Sequence, residues 1–97
     1  MIDDIVDTAG TLCNAAKALK DAGAKTVTAY CSHGVLSGPA VERVTGSVLE
    51  KLVITDTIQQ KKEVQTCSKI EIITIAPLLA EAIIRINQER SVSSLFD

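Results

Sequence analysis

Three short and almost wholly apolar runs, residues 26–31, 52–55 and 70–75, constrain this chain most. They lack the apolar–polar alternation of a strand with one wet face. Each therefore reads as a strand buried on both sides, the pattern of a parallel sheet covered by crossover helices. The segments between them fit. Ala15, Ala16, Leu19 and Ala22 form an apolar stripe at helical spacing, after Thr11 and before Gly23. The strand at 26–31 is rich in β-branched residues and stops at Ser32-His33-Gly34. Ser37-Gly38-Pro39 then opens a short helix through Arg43, with proline tolerated in the first turn. Residues 57–68 are polar and poorly periodic and read as a surface connection. Pro77 opens a last helix whose buried face is expected to be Leu78, Leu79, Ala82, Ile83 and Ile86. The tail, residues 91–96, shows no helical period.

The expected fold class is α/β: three layers, αβα, around a mostly parallel open sheet, all within one domain of 97 residues. With 46% apolar residues but one Tyr and one Phe, the core must be aliphatic. An α/β unit should place a strand before its first loop, and only Met1-Ile2 stand there. The chain is thus expected to be a partial domain lacking upstream strands.

Composition excludes some functions. Ten basic against twelve acidic residues, with Lys61-Lys62 the sole basic doublet and almost no aromatics to stack on bases, argue against a nucleic-acid partner. The most apolar stretch, residues 70–86, is interrupted by Glu71, Pro77, Glu81 and Arg85, so no membrane span is expected. Neither zinc spacing nor a disulfide framework joins Cys13, Cys31 and Cys67. Reduced thiols and a cytoplasmic location are the simplest reading.

The chemistry sits in the run DDIVDTAGTL, residues 3–12. Ligands of open parallel sheets collect at the carboxyl ends of strands. The start of the following helix offers unpaired N–H groups and a partial positive charge that suit a phosphate. Gly10, beside small Ala9, lets an anion approach the backbone, and Thr8 and Thr11 add hydroxyl donors. The carboxylates would repel a phosphate, but ionised Asp3 and Asp4 are good acceptors for adjacent sugar hydroxyls. A sugar phosphate satisfies both halves: hydroxyls at Asp3 and Asp4, phosphate at residues 7–11. The plainer alternative is that Asp7 or Thr8 merely caps the helix.

The run DDIVDTAGT resembles the phosphoribosyl-diphosphate motif shared by type I phosphoribosyltransferases and ribose-phosphate diphosphokinases (PRPP synthetases). Four further segments resemble the latter in order: SHGVLSGPA (32–40), ITDTI (54–58), CSKIEIITIAPLLAEAIIRI (67–86) and SVSSLF (91–96). The resemblance covers nearly all of the chain. It implies a phosphoribosyltransferase-like fold, with residues 1–97 as the C-terminal part of such a domain. It also implies an enzyme transferring the diphosphoryl group of ATP to ribose 5-phosphate, with Mg²⁺ as cofactor and a homo-oligomeric state. Within it Asp3 and Asp4 take the ribose hydroxyls, and Asp7, Thr8, Ala9, Gly10 and Thr11 take the 5-phosphate. Ser91, Ser93 and Phe96 fall to a regulatory phosphate or ADP site between subunits, although Arg90 replaces the acidic residue usual before that tail. His33 gains no catalytic role and reads as a turn histidine. The family's ATP-binding residues, Mg²⁺ ligands and catalytic Lys/Arg loop lie upstream of this motif, so the chain alone is expected to be inactive. A non-catalytic associated subunit and a phosphoribosyltransferase fragment are the alternative readings.

Overall fold

A strand does precede the acidic loop. In the computed structural model, which describes residues 1–89 and 91–96, β1 (Ile2–Val6) runs through Asp3 and Asp4. The expectation of only a Met1-Ile2 remnant is thereby corrected. The two acids disguised the strand, because aspartate is a poor strand former. They are tolerated because β1 lies at the sheet edge, where charge faces water.

β1 is followed by α1 (Gly10–Asp21), β2 (Thr28–Gly34), α2 (Ala40–Thr45), β3 (Lys51–Thr55), α3 (Lys62–Gln65), β4 (Ile70–Ile73) and α4 (Ala76–Asn87). The four strands are parallel in the order β1-β2-β3-β4. The α/β class and the parallel open sheet are as the sequence predicts. Register sorts the side chains. Ala29, Leu52 and Ile70 share one row, and Cys31, Ile54 and Ile72 the next. With Leu12, Ala16, Ala40, Val44, Leu49 and Val64 from the helical side, these rows make the core.

Sequential strands joined by crossovers of one hand place their helices on one face. The other face carries Ile2 (90% exposed), Tyr30, Val53 and Ile73, together with a Lys51–Glu71 ion pair at 3.3 Å. Among the described residues no helix covers it. The second outer layer is therefore unfilled, as a partial domain would leave it.

Other boundaries moved for local reasons. β2 extends through Gly34 because Ile5 and Val6 of β1 pair with His33 and Gly34, so His33 lies in a strand rather than a turn. Within 57–68 a single helical turn, α3, buries Val64. One turn is too short to register as periodicity. Gln60, also buried, donates from Nε2 to the Gly34 carbonyl (2.6 Å).

The largest correction concerns α4. Its apolar stripe exists, but Leu78, Leu79, Ile83 and Ile86 are 40–66% exposed and no residue of the helix is buried. Periodicity identifies the face that wants a partner; it cannot say that the partner is within the chain. The radius of gyration, 15.8 Å, reflects this projection, against about 12.5 Å for a compact domain of this length. The tail folds back as a 3-10 turn, Ser93–Phe96, instead of remaining irregular.

Candidate functional site

Edge strand β1 delivers the chain to a tight bend and then directly into α1. Ala9 makes the bend, with φ 66° and ψ 5°, and is buried at 4% exposure. This left-handed conformation costs a non-glycine residue roughly 1–2 kcal/mol, and such strain collects at functional sites. The first helical bond runs from Cys13 N–H to the Ala9 carbonyl (3.0 Å), and no side chain caps the helix. Neither Asp7 nor Thr8 is therefore the cap that the plainer reading required. The first-turn N–H groups of α1 keep their polarity for something else.

Asp3, Ile5, Val6 and residues 7–12 line one hollow of ≈170 Å³. That is small beside the roughly 300–1,000 Å³ of typical ligand pockets, and is of the scale of a phosphate-sized group. Asp3 thus shares a hollow with Asp7, Thr8, Ala9, Gly10 and Thr11. Asp4 does not line it, since successive strand residues point to opposite faces. The two acids are linked through the backbone: Asp4 N–H donates to Asp3 Oδ1 (2.8 Å). A second groove, ≈600 Å³, lies between α1 and α2; it shares Gly10 with the loop and is also lined by Arg43 of α2.

Two residues of the β2–α2 segment reach the loop, and sequence reasoning gave neither a role. Ser37 donates its hydroxyl to Asp7 Oδ1 and its N–H to the Asp7 carbonyl (3.0 Å). Arg43 donates from Nη1 to the Thr8 carbonyl (3.2 Å). These pairs lie 30 and 35 residues apart in sequence, so no local spacing could have disclosed them.

Around the site, His33 Nδ1 meets Thr57 Oγ1 at 2.8 Å, and Thr57 donates to the Ser32 carbonyl (3.3 Å). Burial pushes the Cys31 thiol above its ordinary range, helped by the charges of Asp3 and Asp4 nearby. Cys31 is thus a neutral packing group under the acids. Asp56, fully exposed, is held below the usual carboxylate range because it accepts from the Ile75 N–H (3.0 Å), and then from Thr74. It tethers the start of α4 to the end of β3.

No group of three or more His, Cys, Asp or Glu among the described residues could hold a metal. With Asp3 and Asp4 diverging, the residues present do not fit a Mg²⁺ cage. The tail is separate from the loop. Arg85 pairs with Glu81 (3.0 Å) and donates to the Ser91 carbonyl (3.2 Å) and the Ser94 hydroxyl. The Ser91 and Ser93 hydroxyls lie 3.0 Å apart. Arg90 and the Phe96 side chain fall outside the described residues. No helix among the described residues is long and apolar enough to cross a membrane.

The profile of the phosphoribosyl synthetase-associated domain matches residues 1–97. A protein of Rhizobium meliloti named ribose-phosphate pyrophosphokinase is 63% identical over the whole chain, which corresponds to 31% of that relative. One of the same name from Bordetella pertussis is 57% identical over 99% of the chain and 31% of its own length. The crystal structure of phosphoribosylpyrophosphate synthetase from Mycobacterium smegmatis superposes with a TM-score of 0.84 at 33% identity, covering 91% of this chain and 29% of that one. The chain therefore spans about a third of the length of the curated relatives it matches.

Proposed function

The chain belongs to the phosphoribosyl synthetase-associated domain family, and on that premise we propose that it is the ribose 5-phosphate-binding portion of a ribose-phosphate diphosphokinase. The observation that carries the reading is the uncapped start of α1, entered through a left-handed Ala9 and sharing one hollow with Asp3. The 5-phosphate lies against residues 7–11, where the first-turn amides and the Thr8 and Thr11 hydroxyls donate to it. Asp3, inside the hollow, accepts from one ribose hydroxyl, and Asp4, on the other side of edge strand β1, accepts from a second where the sugar overhangs that edge; their charge strengthens those bonds. Calorimetric titration with ribose 5-phosphate tests the reading. A saturable one-to-one heat is expected, and none with ribose lacking the phosphate. No saturable heat with ribose 5-phosphate would overturn it.

In the complete enzyme the anomeric hydroxyl of the sugar phosphate held by this loop attacks the β-phosphorus of ATP; the bond from that phosphorus to the bridging oxygen breaks, AMP leaves, the hydroxyl proton passes to solvent, and PRPP is formed. Such transfer depends on cations placed around the phosphates. No cluster among the described residues would hold the Mg²⁺ that supplies them, and the part proposed for this chain is to bind and orient one substrate. Mixed with ATP, Mg²⁺ and ribose 5-phosphate, the 97-residue chain is expected to release no AMP above a protein-free control. Sustained AMP release by chain free of longer contaminants would contradict this.

Ser91, Ser93 and Phe96 are assigned to a regulatory phosphate or ADP site between subunits. The paired Ser91 and Ser93 hydroxyls and the hold of Arg85 on the tail support this assignment. A cytoplasmic location accords with three free thiols. The uncovered sheet face and the α4 stripe favour association of copies. Light scattering should show a mass rising with concentration, and a monomer mass at every concentration would remove that part.

A further inference from the structure

We infer that Ser37 and Arg43 are positioning residues that hold the turn at residues 7–10 in its anion-accepting shape before any ligand arrives. The inference deepens the ribose 5-phosphate reading and rests on it for its functional consequence.

The turn needs outside support. Ala9 sits in a left-handed conformation that an L residue avoids, and the turn's own side chains do not cap the helix that follows. All the described hydrogen bonds that fasten its backbone from elsewhere in the chain come from residues 35–43. Val35 and Leu36 donate their N–H groups to the Val6 carbonyl (2.9 and 3.2 Å), just before the turn. Ser37 N–H takes the Asp7 carbonyl, and Arg43 Nη1 takes the Thr8 carbonyl. Leu36 is itself left-handed (φ 50°) and 2% exposed, so this strap is anchored in the core rather than laid over the surface.

The strap also settles an electrostatic problem. Asp7 belongs to the stretch that would receive a phosphate, yet its carboxylate should repel one. Ser37 donates its hydroxyl to Asp7 Oδ1, which fixes the carboxylate on the strap side and takes up one of its oxygens. Gly10 has a matching purpose. A Cβ there would stand 2.9 Å from Arg43 Nη1. The missing side chain lets the guanidinium lie against the helix start while it grips the Thr8 carbonyl. Ser37 thus orients the one acid inside the phosphate stretch, and Arg43 fixes the peptide that precedes the bend.

The test uses this chain with Ser37→Ala, Ser37→Thr and Arg43→Met. Each is followed by amide NMR without ligand, by thermal denaturation, and by titration with ribose 5-phosphate and separately with inorganic phosphate. Ser37→Ala and Arg43→Met are expected to move the ligand-free amide signals of Ala9 and Gly10 while the melting midpoint stays within about 2 °C. They should weaken both ligands by a similar factor, about tenfold, because both pass through the same turn. Ser37→Thr, which keeps the hydroxyl, should restore binding to within about twofold. Unmoved Ala9 and Gly10 signals in both variants would overturn the inference. So would an affinity loss that merely tracks a fall in melting midpoint, or a Ser37→Thr variant no better than Ser37→Ala. If the unsubstituted chain binds neither ligand, the ribose 5-phosphate reading fails, and the ligand-free spectra still decide whether the strap shapes the turn.

Discussion

Replacing Ile54 by alanine is expected to lower the urea midpoint of this chain by about 2–5 M. Ile54 is fully buried in β3, paired with Cys31 on one side and Ile72 on the other. A Cβ on Gly34 would lie 2.7 Å from its Cδ1, so the residue fills the space directly over that glycine. Removing three carbons there leaves a cavity that backbone on both sides prevents from closing. Such truncations cost about 2–5 kcal/mol, and m is about 1 kcal/mol/M in urea for a small domain. A domain of this length is stable by roughly 5–15 kcal/mol. With one sheet face bare, this one belongs at the lower end. The control is Ile83→Ala on α4, where the side chain is 66% exposed. It should change stability by no more than about 0.5 kcal/mol. Equal losses at the two positions, measured by circular dichroism in urea, would mean that α4 is packed after all.

The second large effect concerns ligand selectivity. The pair Asp3→Asn and Asp4→Asn keeps side-chain shape and removes two charges. Hydrogen bonds to charged groups contribute about 1.5–3 kcal/mol each. Allowing for retained amide bonds, ribose 5-phosphate should bind roughly 30- to 150-fold more weakly in the double variant, or about 2–3 kcal/mol. Inorganic phosphate should bind as well as before or better, because the nearby carboxylates no longer repel it. The opposite movement of the two ligands is the signature of a split site. Parallel losses would show that the acids shape the loop instead of holding the sugar.

How much of this was legible in the sequence varies by element. The apolar runs around Ala29, Leu52 and Ile70 disclosed the parallel sheet because a strand expected to be buried on both faces reads as an unbroken apolar run. β1 was missed because Asp3 and Asp4 lower strand propensity, and only pairing with Tyr30 through Gly34 makes them a strand. The stripe on α4 is apolar as the periodicity predicts, but among the described residues nothing covers Leu79 and Ile83. In the loop, Gly10 and the flanking threonines suggest anion chemistry, and the structure places them in one hollow. That Ala9 rather than Asp7 or Thr8 occupies the cap position could not be read there. It follows from the strap of residues 35–37 bonding to Val6 and Asp7, which is a tertiary contact with no local signature.

The most direct test of the central claim is an amide-resolved NMR titration of the chain with ribose 5-phosphate. The reading requires saturable shifts at residues 7–12 and at Asp3 and Asp4, fitting one dissociation constant, with the amides of α4 unmoved. Shifts confined to Cys13, Lys17, Arg43 and Ser47, which line the groove between α1 and α2, would place the ligand elsewhere and contradict it, as would a spectrum that ribose 5-phosphate leaves unchanged.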